Sequence, residues 1–62
     1  MYKNLLKEMQ YRRLSEKEAA DLLNISGKEF RRKVRSDSLT TLEALKLADA
    51  LNIRDINYLF RS

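Results

Sequence analysis

Residues 14–35, LSEKEAADLLNISGKEFRRKVR, contain the strongest signals for how this chain folds. Ser15 is followed three residues later by Glu18, a spacing typical of a capping box at the start of a helix. The apolar side of this helix, which we expect to be buried, consists of Ala19, Leu22 and Leu23. The pattern therefore predicts a helix from residue 15 to about residue 23.

A short turn, Asn24-Ile25-Ser26, separates this helix from the next one. Asn24 tolerates a left-handed backbone and can end a helix, and Ser26 is a favourable N-cap for the residues that follow. Ile25 is apolar within a polar turn, so we expect its side chain to point inward. The turn is therefore predicted to lead directly into a helix over residues 27–35.

The helix over residues 27–35 has cations on one side and apolar residues on the other. At about 100° per residue, four cations share a face about 100° wide. We call this set the basic row; it consists of Lys28, Arg31, Arg32 and Arg35. Phe30 and Val34 lie about 130° from its centre and are expected to anchor the helix in the core. From charge alone, the basic row is equally compatible with a solvated helix face and with a binding surface.

The position of the excess charge favours a binding surface. The chain has 62 residues, 13 Lys and Arg, 9 Asp and Glu, and a net charge of +4. Within residues 27–35 there are five basic residues and one acid, whereas the rest of the chain has eight of each. The whole excess lies on one predicted helix, which indicates an anionic partner.

The remaining residues predict three more helices. The first is indicated by apolar residues at helical spacing, namely Tyr2, Leu5, Leu6 and Met9. The fourth begins with a second capping box, Thr40 and Glu43, and its Leu and Ala residues suggest that it is the most buried element. Asn52 is predicted to end it, and Asp55 to cap a short final helix. The sequence thus predicts one all-α domain over residues 1–62.

Composition excludes several classes of function. The chain has no Cys and no His, which removes disulfides, the usual zinc ligands and the familiar catalytic dyads, so we expect no metal, no cofactor, no small-molecule substrate and no enzyme activity. No apolar run reaches the roughly 20 residues of a membrane span, and charges among the first eight residues argue against a signal peptide. A cytoplasmic location is the simplest expectation.

Three stretches, taken in order, resemble one family. LSEKEAADLLNIS (residues 14–26) looks like the helix-turn-helix of the lambda repressor/Cro-like, or XRE, family. TLEALKLADALNI (residues 41–53) matches the pattern of its fourth helix, and INYLF (residues 56–60) is similar to its closing helix. The resemblance implies a compact five-helix domain with a helix-turn-helix over about residues 15–35. It further implies that the helix over residues 27–35 enters the major groove of double-stranded DNA, often as a homodimer.

The resemblance also implies a set of contact residues. Base contacts are expected at three cations of the basic row, Lys28, Arg31 and Arg32. Apart from the resemblance, Lys33 and Arg35 lie toward the flank or end of the helix and are expected to contact the DNA backbone, as are Arg12, Arg13 and the Gly27 amide.

Two departures from the family's pattern affect the expected DNA contacts. Glu16 stands where many members have a Gln that braces a phosphate or a base-contacting side chain. Because a carboxylate repels a phosphate, Glu16 is expected either to orient Arg31 or Arg32 or to lie away from the DNA. Gly27 occupies a base-facing position but has no side chain, so its amide at the helix N-terminus is the group expected to meet a phosphate.

Two functions remain open at this stage. The first is sequence-specific binding of double-stranded DNA by a phage- or prophage-type transcriptional regulator, a repressor or Cro-like protein. The second is a protein-interaction module on the same fold, such as an antirepressor or a regulator's partner, without operator binding. A membrane-surface helix is disfavoured, because Phe30 and Val34 alone form too narrow an apolar side.

Overall fold

Two consecutive helices, α2 (Glu16–Leu23) and α3 (Gly27–Arg35), hold the central part of the chain. In the computed structural model, which describes residues 1–61, both have the caps that the sequence predicts. Ser15 Oγ accepts a hydrogen bond from the Glu18 amide, and the Glu18 carboxylate accepts one from the Ser15 amide, both at 3.0 Å. Asn24 ends α2 in the left-handed conformation, with φ 63°. Ser26 Oγ accepts from the Glu29 amide and so starts α3.

The other three helices are α1 (Lys3–Tyr11), α4 (Thr41–Leu51) and α5 (Ile56–Leu59). Thr40 and Glu43 form the second capping box, Asn52 ends α4 with φ 58°, and Asp55 caps α5 through the Tyr58 amide. Over residues 1–61 the regular structure is entirely helical, which confirms the all-α prediction. No helix in this part of the chain is both long and apolar enough to cross a membrane.

The core collects residues from all five helices into one cluster. α2 packs on α3 and α4, while α5 packs on α1 and α4, within a body of 25 × 21 × 19 Å. Phe30 is fully buried and Val34 nearly so, which confirms that they anchor α3. Ile25, from the turn, packs against the same cluster. The buried side chains are Tyr2, Leu5, Met9, Ala19, Ala20, Leu23, Phe30, Val34, Leu47, Ala48, Leu51 and Leu59.

The predicted buried side of α2 was partly wrong. Ala19 and Leu23 are buried, but the third member of that side is Ala20, and Leu22 is 46% exposed. At about 100° per residue, Leu22 lies about 110° from the centre of the buried face. The small side chain of Ala20 allows the neighbouring helices to approach α2 on this side.

The expectation that α4 is the most buried element was also wrong. Its buried face consists of Leu47, Ala48 and Leu51, whereas Leu42 and Leu45 are 63% and 49% exposed. At about 100° per residue, Leu42 lies about 170° from the centre of that face. α4 therefore has a core side and an exposed side on which two leucines lie.

Polar contacts connect α1 to the end of the chain. The Tyr58 hydroxyl donates to Glu8 Oε2 at 2.9 Å, and Asn4 Nδ2 donates to the Tyr58 carbonyl at 2.8 Å. The hydrogen bond lowers the pKa of Glu8 and raises that of Tyr58. Tyr2 meets Phe60 edge to face at 5.4 Å. These contacts hold α5 and Phe60 against α1 and Tyr2.

Candidate functional site

The basic row lies on the exposed side of α3. All four of its side chains are exposed, whereas Phe30 and Val34 on the opposite side are buried in the core. Together with Ser26 and Glu29, the row surrounds a shallow, open depression on the surface of α3. The core thus holds the helix while its cations face outward.

The Arg31 side chain is bound by a residue of the neighbouring helix. Its Nη2 donates to Glu16 Oε1 at 3.2 Å, and both side chains are about half exposed. Glu16 is the first residue of α2, so this contact spans the turn between the two helices. The Glu16 carboxylate thus contacts Arg31, one of the two arginines that it was expected to orient.

Arg32 is held within its own helix. Its Nε donates to Glu29 Oε1 at 2.6 Å and its Nη2 donates to Glu29 Oε2 at 3.0 Å. Two parallel charge-assisted bonds of this kind fix the plane of the guanidinium. They lower the pKa of Glu29 and raise that of Arg32, so both groups stay charged over a wide pH range.

Lys28 and Arg35 occupy the two ends of the basic row. Among residues 1–61 neither side chain forms a salt bridge. The row therefore has two different kinds of cation. The inner arginines are each bound to a carboxylate of the protein, and the outer residues keep their full donor capacity.

Lys33 lies apart from the basic row. Its Nζ donates to Glu43 Oε2 at 2.7 Å, and both side chains are largely buried between α3 and α4. The Lys33 ammonium is the main cause of the lowered pKa of Glu43. At about 100° per residue Lys33 lies about 150° from the centre of the row. Lys33, predicted to contact the DNA backbone, is therefore not part of the candidate contact surface.

The remaining predicted backbone contacts are more widely spread. Gly27 begins α3, and a Cβ built there would meet no atom within 4 Å, so no close packing requires a glycine. Arg12 follows α1 and its Nε donates to Glu8 at 3.2 Å, while Arg13 is exposed with φ 58°. No hydrogen bond among residues 1–61 connects Arg12 or Arg13 to α3.

The pairing of Glu29 with Arg32 was not predicted, although the sequence contains a signal for it. Glu29 and Arg32 are three residues apart on one helix, which is a favourable spacing for an ion pair. The pair of Lys33 and Glu43 joins two helices and has no comparable local signal.

Comparison of the chain with models of protein families, with curated proteins and with solved structures gives no match. Within residues 1–61, no group of three or more acidic residues is placed to hold a metal ion. The function is therefore inferred from the chemistry of α3 and its surroundings.

Proposed function

We propose that this chain is a sequence-specific, double-stranded DNA-binding regulator of the lambda repressor/Cro type. In this proposal α2, the turn and α3 act as a helix-turn-helix, and α3 enters the major groove. The observation that carries it is the basic row, exposed along one side of a helix whose other side is fixed in the core by Phe30 and Val34. A rigid cationic helix is what recognition of a polyanion in a groove needs.

The dimensions of α3 suit the groove. Nine residues at 1.5 Å each give a helix of about 13–14 Å, and the major groove is about 12 Å wide. Arg31 and Arg32 keep guanidinium donors that can meet O6 and N7 of guanine, and Lys28 is a third base-contact candidate. Arg35 is assigned to phosphates, as are Gly27, Arg12 and Arg13.

The contact between Glu16 and Arg31 supports this assignment. A flexible arginine loses rotamer freedom when it binds, and a carboxylate that already holds it reduces that loss. Glu16 is therefore proposed to orient Arg31 toward the base edges rather than to contact DNA. The same contact ties α2 to α3 at the proposed interface.

Two copies are proposed to bind together. One small module makes few base contacts, so specific binding needs two half-sites about one helical turn apart. A two-fold symmetric DNA site is the corresponding expectation.

The test is selection of bound duplexes from a random pool, followed by footprinting. We expect one preferred site, with two-fold symmetry if two copies bind. Arg31→Ala and Arg32→Ala should relax the sequence preference, whereas Arg35→Ala should weaken binding to all duplexes alike. Lys7→Ala, which removes an exposed cation of α1, is the control. If the row variants and this control bind duplex DNA equally well at moderate salt, the proposal is wrong.

A second candidate function is a protein-interaction module without operator binding. Two carboxylates, those of Glu16 and Glu29, lie against the basic row and reduce its net charge. In that case labelled protein should show no salt-sensitive binding to random or genomic duplexes and should instead bind a protein partner.

A further inference from the structure

The ion pair of Glu29 and Arg32 leaves one edge of the guanidinium free. A guanidinium has five N–H donors, and Glu29 takes one from Nε and one from Nη2. Both hydrogens of Nη1 and one of Nη2 remain. One hydrogen of Nη1 and the remaining one of Nη2 form the end-on fork of the arginine, the edge that can donate two parallel bonds to guanine.

The main chain under this pair is also fixed. The Glu29 amide donates to Ser26 Oγ at 3.0 Å, so the first turn of α3 is capped at the residue that holds Arg32. Both side chains of the pair line the depression on the surface of α3 and are about half exposed. The arginine is therefore oriented without being taken out of reach of a ligand.

The Glu29 carboxylate also opposes phosphate. It lies beside Arg32 at the edge of the basic row, so a DNA backbone that approaches Arg32 must also approach a negative charge. An unspecific contact between Arg32 and a phosphate would have to compete with this ion pair. A base edge that accepts from the free fork leaves the pair intact.

Building on the proposed DNA binding, we infer that Glu29 is a specificity-determining residue of the α3 surface. It positions the free fork of Arg32 for a base edge and lowers the affinity of the row for unselected DNA backbone. Glu29 thus lowers the affinity of the protein for duplex DNA in general and raises its discrimination between DNA sequences. Loss of a merely structural residue would not raise affinity for any duplex.

The experiment compares the full chain with Glu29→Gln on the selected duplex and on a scrambled duplex over a range of salt. Gln keeps the size of the side chain but accepts through one oxygen only and carries no charge. We expect tighter binding to the scrambled duplex, a salt dependence steeper by about one phosphate contact, and a selectivity about tenfold lower. Asp49→Asn, which removes the same charge from the exposed side of α4, should change neither the slope nor the selectivity.

A second variant separates orientation from charge. Arg32→Lys keeps the cation but has no planar fork, so we expect it to lose selectivity by a similar factor without the gain on the scrambled duplex. Thermal unfolding of each variant checks that the fold is retained. If the wild type selects a site and Glu29→Gln keeps its selectivity, the inference about Glu29 is overturned while the proposed function stands. If the wild type binds no duplex, both fall.

Discussion

At the scale of single residues, two leucines of α4 have opposite surroundings. Leu47 is fully buried, and Leu42 is 63% exposed. We expect Leu47→Ala to lower the free energy of unfolding by about 2–5 kcal/mol, since it removes packed methyl groups and leaves a cavity. Leu42→Ala should change it by no more than about 0.5 kcal/mol. Urea denaturation measures both, and equal losses would show that the assigned faces of α4 are wrong.

A second residue-scale prediction concerns Glu43. The Lys33 ammonium and the Thr40 amide lower the pKa of Glu43 in the folded state. Its contribution to stability is therefore present above the unfolded pKa, about 4.3, and is lost as the pH falls through the folded pKa. We expect Glu43→Gln to be less stable than the wild type at pH 7 and to lose less stability between pH 5 and pH 2.

Chemical denaturation across this pH range makes the measurement, and Asp21→Asn, which removes an exposed carboxylate of α2, is the comparison. A Glu43→Gln variant with the pH dependence of the wild type would mean that the pair with Lys33 does not form in solution.

For the individual helices, the N-caps matter because they accept hydrogen bonds from amides of the first turn. Thr40 Oγ1 accepts from the Glu43 amide at 3.1 Å, and the Glu43 carboxylate accepts from the Thr40 amide at 2.9 Å. We expect Thr40→Ala to destabilise the protein by about 1 kcal/mol because an amide of the first turn loses its partner. Thr41→Ala, one residue inside α4, is the matched control and should cost little. Similar effects of both substitutions on the unfolding free energy would contradict a capping role.

The helix boundaries could be predicted because their signals are local. Each helix end depends on groups only a few residues apart, so a short stretch of sequence contains both partners. The starts of α2 and α4 are capped by Ser15 and Thr40, and their ends lie at Asn24 and Asn52. The buried faces were harder to predict. An apolar residue such as Leu22 or Leu42 is buried only if another helix covers it, and this depends on the packing of the whole chain.

At the scale of the whole molecule, the contacts that arrange the helices join distant residues. Glu8 meets Tyr58 across 50 positions, and Lys33 meets Glu43 across a loop. Neither partner choice follows from local spacing. The candidate site was therefore predictable as a cationic face of α3, and helical spacing alone places Lys33 away from that face. The partner of Lys33, Glu43 of α4, could not be predicted in this way because the pair joins two helices.

The division of the basic row into held and free cations also belongs to this scale. Arg31 is held by α2, Arg32 by its own helix, and Lys28 and Arg35 form no salt bridge among residues 1–61. The carboxylates of Glu16 and Glu29 make the proposed interface less positive than the number of cations in the row suggests. The proposed binding therefore relies on geometry as well as on charge.

Amide chemical-shift mapping of the labelled protein, titrated with a duplex, shows whether the exposed face of α3 meets DNA. We expect the largest shifts at residues 26–35 and at the start of α2, and we expect them to disappear as salt is raised. No shifts at all, or shifts confined to Leu42, Leu45 and the surface around α5, would mean that α3 does not bind DNA.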